Sequence, residues 1–101
     1  MIIISATPYS KLRDDLKYVA DRFSKEGINY SAYNYGVQYN AADKSGIVHS
    51  FYPTTGTILF HESNDKENRN TKTIKNCDID TFIMYLNFPN IIKIFFRKER
   101  K

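Results

Sequence analysis

Tyr33-Asn34-Tyr35-Gly36-Val37-Gln38-Tyr39-Asn40 alternates large apolar side chains with small or polar ones at a period of two. Successive side chains leave a strand on opposite sides, so this spacing predicts a β-strand with one aromatic face made by Tyr33, Tyr35, Val37 and Tyr39. Upstream, Ile28 and Tyr30 have the opposite parity, and a bulge near Ser31 or Ala32 would bring the two halves into phase. Downstream, Asn40 to Gly46 supplies turn residues. Ile47–Tyr52 then reads as a second strand and Thr57–His61 as a third.

Pro53-Thr54-Thr55-Gly56 links those two strands. A three-residue loop with Gly56 in the left-handed conformation would set Pro53 opposite Thr57. Phe51 would then face Leu59, and His49 would face His61. A two-residue loop would separate the histidines onto opposite faces.

Helical spacing brackets the strands. Leu12, Leu16, Val19 and Phe23 recur on one face, with Lys11, Arg13, Asp14, Lys17, Asp21 and Lys25 on the others. Thr7 or Ser10 is placed to cap this helix, Pro8 is tolerated in its first turn, and Gly27 is placed to end it. A second helix begins at Asp78, gathers Ile79, Phe82, Ile83 and Leu86 on one face, and ends at Asn87 and Pro89. Between them, Glu62–Thr73 contains no hydrophobic side chain and reads as a long polar loop, either functional or mobile. Met1–Ser5 reads as an edge strand or apolar arm. Ile91–Phe96 is too apolar for a free tail and is expected to dock as a strand or a helical turn. The expected fold class is therefore α+β. A three- to five-stranded antiparallel sheet carries two helices on one face, in the order (β)-α-β-β-β-α-(β).

Composition narrows the function classes. The 101 residues suffice for one domain, expected over residues 1–96, and 42% hydrophobic content suffices for a core. No apolar run is long enough to span a bilayer, and Met1–Ile4 is too short for a secretory signal. The single cysteine, Cys77, forms no internal disulfide. These features lead to an expectation of a cytoplasmic protein without a membrane partner. The usage of Ile, Asn, Lys and Tyr matches AT-rich genomes. The net charge is +4, and the last five residues supply +3 of it through Arg97, Lys98, Arg100 and Lys101 against Glu99. A basic tail at 97–101, not a basic body, is what the charge describes.

Catalytic signals are weak. His49 and His61 are the only histidines, and Glu62, Asp65 or Cys77 would have to complete a zinc site with none of the tight spacing of a metal motif. Cys77 beside a helix start could serve as a nucleophile with His61 as its base, yet a small buried cysteine explains it as well. Gly27, Gly36, Gly46 and Gly56 are too dispersed for a phosphate-cradling loop. The sequence therefore predicts neither a cofactor nor a metal. Aromatic content is the stronger lead, with eight tyrosines and seven phenylalanines in a chain that lacks tryptophan. Tyr33, Tyr35 and Tyr39 on a free sheet face would stack unpaired bases or seat a protein. On the covered face they would be core.

Tyr52-Pro53-Thr54-Thr55-Gly56-Thr57-Ile58-Leu59-Phe60-His61 resembles the tyrosine-turn-glycine-hydrophobic hairpin of TBP-like platform domains, such as the one preceding the catalytic domain of some bacterial type 3 ribonucleases H. The order of a helix followed by strands is also similar. The resemblance implies a sheet face that touches nucleic acid. The chain differs at Thr57, where a lysine is common, and at His61, where a glutamine is common. The αβββα order is similar to double-stranded-RNA-binding domains as well, without their lysine-rich start to the second helix.

Two functional expectations follow. One is a non-enzymatic protein that binds nucleic acid or a nucleoprotein complex through Tyr33, Tyr35 and Tyr39, with Arg97, Lys98, Arg100 and Lys101 on phosphates. The other is an inhibitor or accessory protein of the kind small phage and mobile-element genes encode, bound to a host protein by the aromatic face or the polar loop. A histidine-based hydrolase or metal enzyme ranks third, and a homodimer is left open.

Overall fold

The computed structural model describes residues 6–65, 67 and 70–96. It is an α+β structure with a five-stranded antiparallel sheet in the order β1-β2-β3-β4-β5. The strands are β1 (Tyr30–Tyr33), β2 (Gln38–Ala42), β3 (Val48–Tyr52), β4 (Thr57–His61) and β5 (Thr71–Ile74). Helix α1 (Lys17–Lys25) precedes them, and α2 (Ile79–Asn87) and α3 (Pro89–Phe96) follow. One core forms between the helices and one sheet face. Leu12, Val19, Phe23, Phe82, Leu86 and Ile92 meet Tyr39, Phe51, Ile58 and Phe60 there. Aromatic packing dominates it, with Phe51 stacked on Phe82 at 5.3 Å and Phe60 edge-on to Tyr85 at 4.9 Å.

The second helical face expected from periodicity, Ile79, Phe82, Ile83 and Leu86, is buried as spaced; of the first, Val19 and Phe23 are buried on α1, while Leu12 and Leu16 are buried from the turns before it, where the expected helix does not extend. Gly27 takes a left-handed φ of 71° after α1. Asp78 caps α2, its carboxylate accepting from the Thr81 amide at 2.9 Å. The capping expected of Thr7 or Ser10 does not occur. The chain enters α1 through two short 3-10 turns, Tyr9–Lys11 and Asp14–Leu16, with no side-chain cap. The Thr7 hydroxyl instead accepts from the Tyr35 amide, 28 residues away.

Three strand expectations need correction. The run from Tyr33 to Asn40 is two strands joined by a tight reversal at Asn34–Gly36, and no bulge at Ser31 or Ala32 is needed. Asn34, Tyr35 and Gly36 have φ of 54°, 60° and 101°, which turns the chain back on itself. Asn and Gly accept this conformation readily, and Tyr35 is carried into it between them. The reversal also resets the parity, so Tyr30 pairs with Ala41 and Ala32 with Tyr39.

The β3–β4 link is a four-residue loop, with Tyr52 opposite Thr57 and Phe51 opposite Ile58 rather than Leu59. Gly56 is left-handed as expected, with φ 70°. A Cβ there would lie 2.9 Å from the Cys77 carbonyl oxygen, while the Cys77 amide donates to Gly56 O at 2.8 Å. Gly56→Ala should therefore lower stability by about 1–3 kcal/mol, through strain and a backbone clash together. Chemical denaturation checks this, and an unchanged midpoint would mean the 76–77 segment yields freely.

Glu62–Thr73 is not loop throughout. Its last three residues open β5, which pairs His61 with Thr71 and Ile58 with Ile74. Ile91–Phe96 is helical and belongs to α3. Met1–Ser5 and Arg97–Lys101 lie outside the described residues.

Candidate functional site

Tyr33, Tyr35 and Tyr39 do not share a face. Tyr39 is core, fully buried, with its hydroxyl donating to Leu16 O at 2.8 Å. Burial, together with neighbouring Tyr30, Tyr18, Asp21 and Tyr9, pushes its phenol well above the ordinary range. Tyr35 is exposed at the tip of the β1–β2 reversal, which is braced by Thr7 and by the Arg13 amide donating to Tyr35 O at 3.0 Å. Tyr33 is half-buried on the sheet face opposite Tyr39. The expected platform of three tyrosines therefore reduces to one of them, and Arg97, Lys98, Arg100 and Lys101 fall outside the described residues.

The face that retains Tyr33 has a different character. No helix of the described residues covers it. Reading the register across the sheet places Ser31 and Tyr33 of β1, Gln38 and Asn40 of β2, Ser50 and Tyr52 of β3, Thr57 and Leu59 of β4, and Thr73 of β5 on it. None carries a charge, in a chain that is 26% charged. At its centre Asn40 Oδ1 accepts from Ser50 Oγ at 2.7 Å and from Gln38 Nε2 at 3.1 Å. That network orients the amides and leaves a polar centre, with Tyr33 and Tyr52 on the same face.

The histidines form a second feature, at the other end of β3 and β4. The β3–β4 ladder closes at Ser50 and Leu59, and beyond it side chains replace backbone pairing. The His61 amide donates to His49 Nδ1 at 3.0 Å, and Asn64 takes the Val48 amide at 3.0 Å and gives to Gly46 O at 2.9 Å. Because Nδ1 of His49 accepts, its ring proton is on Nε2, which donates to Asp43 Oδ2 at 2.8 Å. Asp43 Oδ1 accepts from the Ser45 amide and hydroxyl, at 2.8 and 2.6 Å, and from the Ile47 amide at 3.1 Å. Burial alone would raise the Asp43 carboxyl. The donors from Ser45, His49 and Ile47 outweigh burial and hold it below the ordinary value. Burial lowers His49 despite the carboxylate beside it.

The histidine rings are parallel at 6.3 Å, although the register is the one expected to separate them. The early end of the ladder lets the strands splay and the rings approach. The splay opens a cleft of about 360 Å³ lined by Asp43, Ser45, His61, Glu62, Ile92, Lys93 and Phe96, among others.

Chemically, this cluster holds the fold together. Both nitrogens of His49 are committed, so it has none to offer as a base. His61 Nδ1 lies 3.1 Å from Thr71 Oγ1. Cys77 packs against the core elsewhere, and burial with the Asp78 charge raises its thiol, the opposite of activation. Among the described residues, no three His, Cys, Asp or Glu side chains gather as metal ligands would. The sequence carried no signal for the Asp43 part of this cluster, because Asp43 lies in a stretch whose composition reads only as turn.

Comparison with protein-family models, with curated proteins and with solved structures returned no match.

Proposed function

We propose that the chain is a non-enzymatic accessory protein that binds a protein partner through its open sheet face. The observation that carries this reading is the absence of charge among the described residues of that face. Charge depletion with tyrosine enrichment is the compositional mark of a protein-binding surface, whereas bulk hydrophobicity is not. A nucleic-acid ligand would bring phosphates to a face with no cation among its described residues to meet them. The resemblance of the β3–β4 hairpin to platform domains implies a sheet face that touches nucleic acid; it supports use of a sheet face, and for the ligand it favours nucleic acid, the second reading. A second reading, in which nucleic acid binds, rests on the cations at positions 97–101.

Site-specific photocrosslinking separates the two. A photoreactive residue at Tyr33 or Tyr52, in cells that naturally carry the chain, should give a discrete cross-linked protein. One at Tyr18, exposed on the helical side, should not. Thr57→Lys, which places a cation on the face opposite Tyr52, should abolish that product without lowering the thermal midpoint. Cross-links to nucleic acid, or equal protein products from Tyr18, would overturn the reading.

A further inference from the structure

The sheet is continuous along only part of its length. Pairing between β2 and β3 runs to Ala42 and Val48, and pairing between β4 and β5 runs to His61 and Thr71. Pairing between β3 and β4 stops earlier, at Ser50 and Leu59. Beyond that point a seam separates β1–β3 from β4–β5, and side chains bridge it. His49 Nδ1 accepts from the His61 amide, and Asn64 ties itself to the Val48 amide and to Gly46 O. The cleft draws its walls from both sides of the seam, Asp43, Ser45 and Ile47 from one and His61 and Glu62 from the other. The first wall is anchored, because the Lys44 amide donates to Leu86 O of α2 at 2.9 Å.

An imidazole bridges such a seam only while it is neutral. Nε2 of His49 already donates to Asp43 Oδ2, so a second proton has no site but Nδ1. There it would face the N–H of His61, leaving two donors 3.0 Å apart with no acceptor between them. The ring is fully buried, so water does not relieve the conflict. The titratable and charged groups around it are Asp43 from the β2–β3 turn, His61 and Glu62 at the end of β4, Lys72 opposite Phe60 on β5, Tyr85 of α2 against Phe60, and Lys93 of α3 across the cleft. Asp43 is the one bonded to the ring, and burial outweighs the support its charge gives to an imidazolium.

We propose that the seam is an acid-operated latch: protonation of His49 at Nδ1 releases the His61 amide, and the end of β4 parts from β3 while the helices and the paired part of the sheet stay folded. In the parted form Nδ1 meets water and takes up its proton at the ordinary value of 6.5, whereas in the closed form its affinity is lower. Acid therefore favours parting, from about pH 6.5 downward. The side that moves carries His61 and Glu62, so parting widens the cleft.

Amide hydrogen exchange of the full chain, followed by NMR and corrected for intrinsic rates, tests this. At about pH 7 the His61 and Val48 amides should be less protected than those of Phe23 in α1 and Leu86 in α2, as a local opening requires. At about pH 5.5 their protection should fall several-fold further, up to about eightfold for a single proton. Low urea, which weakens the helical amides through global unfolding, should leave these two unchanged. His49→Gln should remove the pH dependence at the seam. His61→Gln should keep it, because His49 holds the backbone amide at that position and not the side chain. Protection at His61 and Val48 that ignores pH, or that tracks Phe23 and Leu86 in both pH and urea, would overturn the proposal. So would a response that His61→Gln abolishes, which would move the proton to the other imidazole.

Discussion

Tyr39→Ala should cost about 3–5 kcal/mol of stability, the range for truncating a large buried aromatic. The ring is fully buried, packs 5.9 Å from Phe23 and 5.8 Å from Tyr30, and its loss leaves a cavity where α1 meets β2. The hydroxyl adds a smaller, separable part. Tyr39→Phe keeps the ring but removes the hydroxyl's hydrogen bond to Leu16 O, for about 0.5–1.5 kcal/mol. Tyr35→Ala should stay within about 0.5 kcal/mol, because an exposed side chain at a turn tip buries little on folding. Urea denaturation with unchanged slopes gives all three values. Comparable losses at Tyr35 and Tyr39 would mean that the two tyrosines share a surface after all, which the reversal at Asn34–Gly36 forbids.

His49→Ala should be equally severe, at about 3–5 kcal/mol. It removes a fully buried ring, takes a donor from a buried carboxylate, and leaves the His61 amide without its acceptor. The same cluster makes the fold acid-sensitive. The native pKa of His49 lies below its unfolded value of 6.5, so in acid the unfolded chain takes up a proton that the native ring refuses. Its contribution is whole above pH 6.5 and falls as the pH drops toward the native value. Asp43 acts in the same direction lower down. Its native pKa lies below 3.8, so stability from its hydrogen bonds is lost as the pH falls through that region. The denaturation midpoint should therefore decline from about pH 7 toward pH 5, before carboxylates titrate. His49→Gln should flatten that decline. A midpoint that rises on acidification over the same interval would show His49 to be charged in the native state.

Helix faces were legible because their information is local. Ile79, Phe82, Ile83 and Leu86 repeat with the helical period, as do Val19 and Phe23, and any fold that keeps these helices must bury those stripes; Leu12 and Leu16 share the spacing and the burial but not the helix. Asp78 as a cap and Gly27 as a stop are local for the same reason, and so is the left-handed Gly56. The sheet was legible as a class and not in detail. Alternation in Tyr33–Asn40 carries no mark of the reversal at Asn34–Gly36, so one long strand and two short ones look alike until hydrogen-bonding partners are known. β5 escaped notice because Thr71-Lys72-Thr73-Ile74 is an edge strand with an exposed side, and edge strands carry polar residues as loops do.

What lies far apart in the chain decided the rest. The choice between core and surface for each tyrosine was set by which side of the sheet α1 and α2 cover. The neutrality of the open face appears only when residues from five strands are read across the register. Asp43 and His49 acquire a role only because the β3–β4 ladder ends early and His61 offers its amide to an imidazole. Spacing and composition thus determined the α+β class, the helical faces and the location of the positive charge, all properties of neighbouring residues. The surface and the buried cluster depend on pairing between segments, which only the tertiary structure supplies.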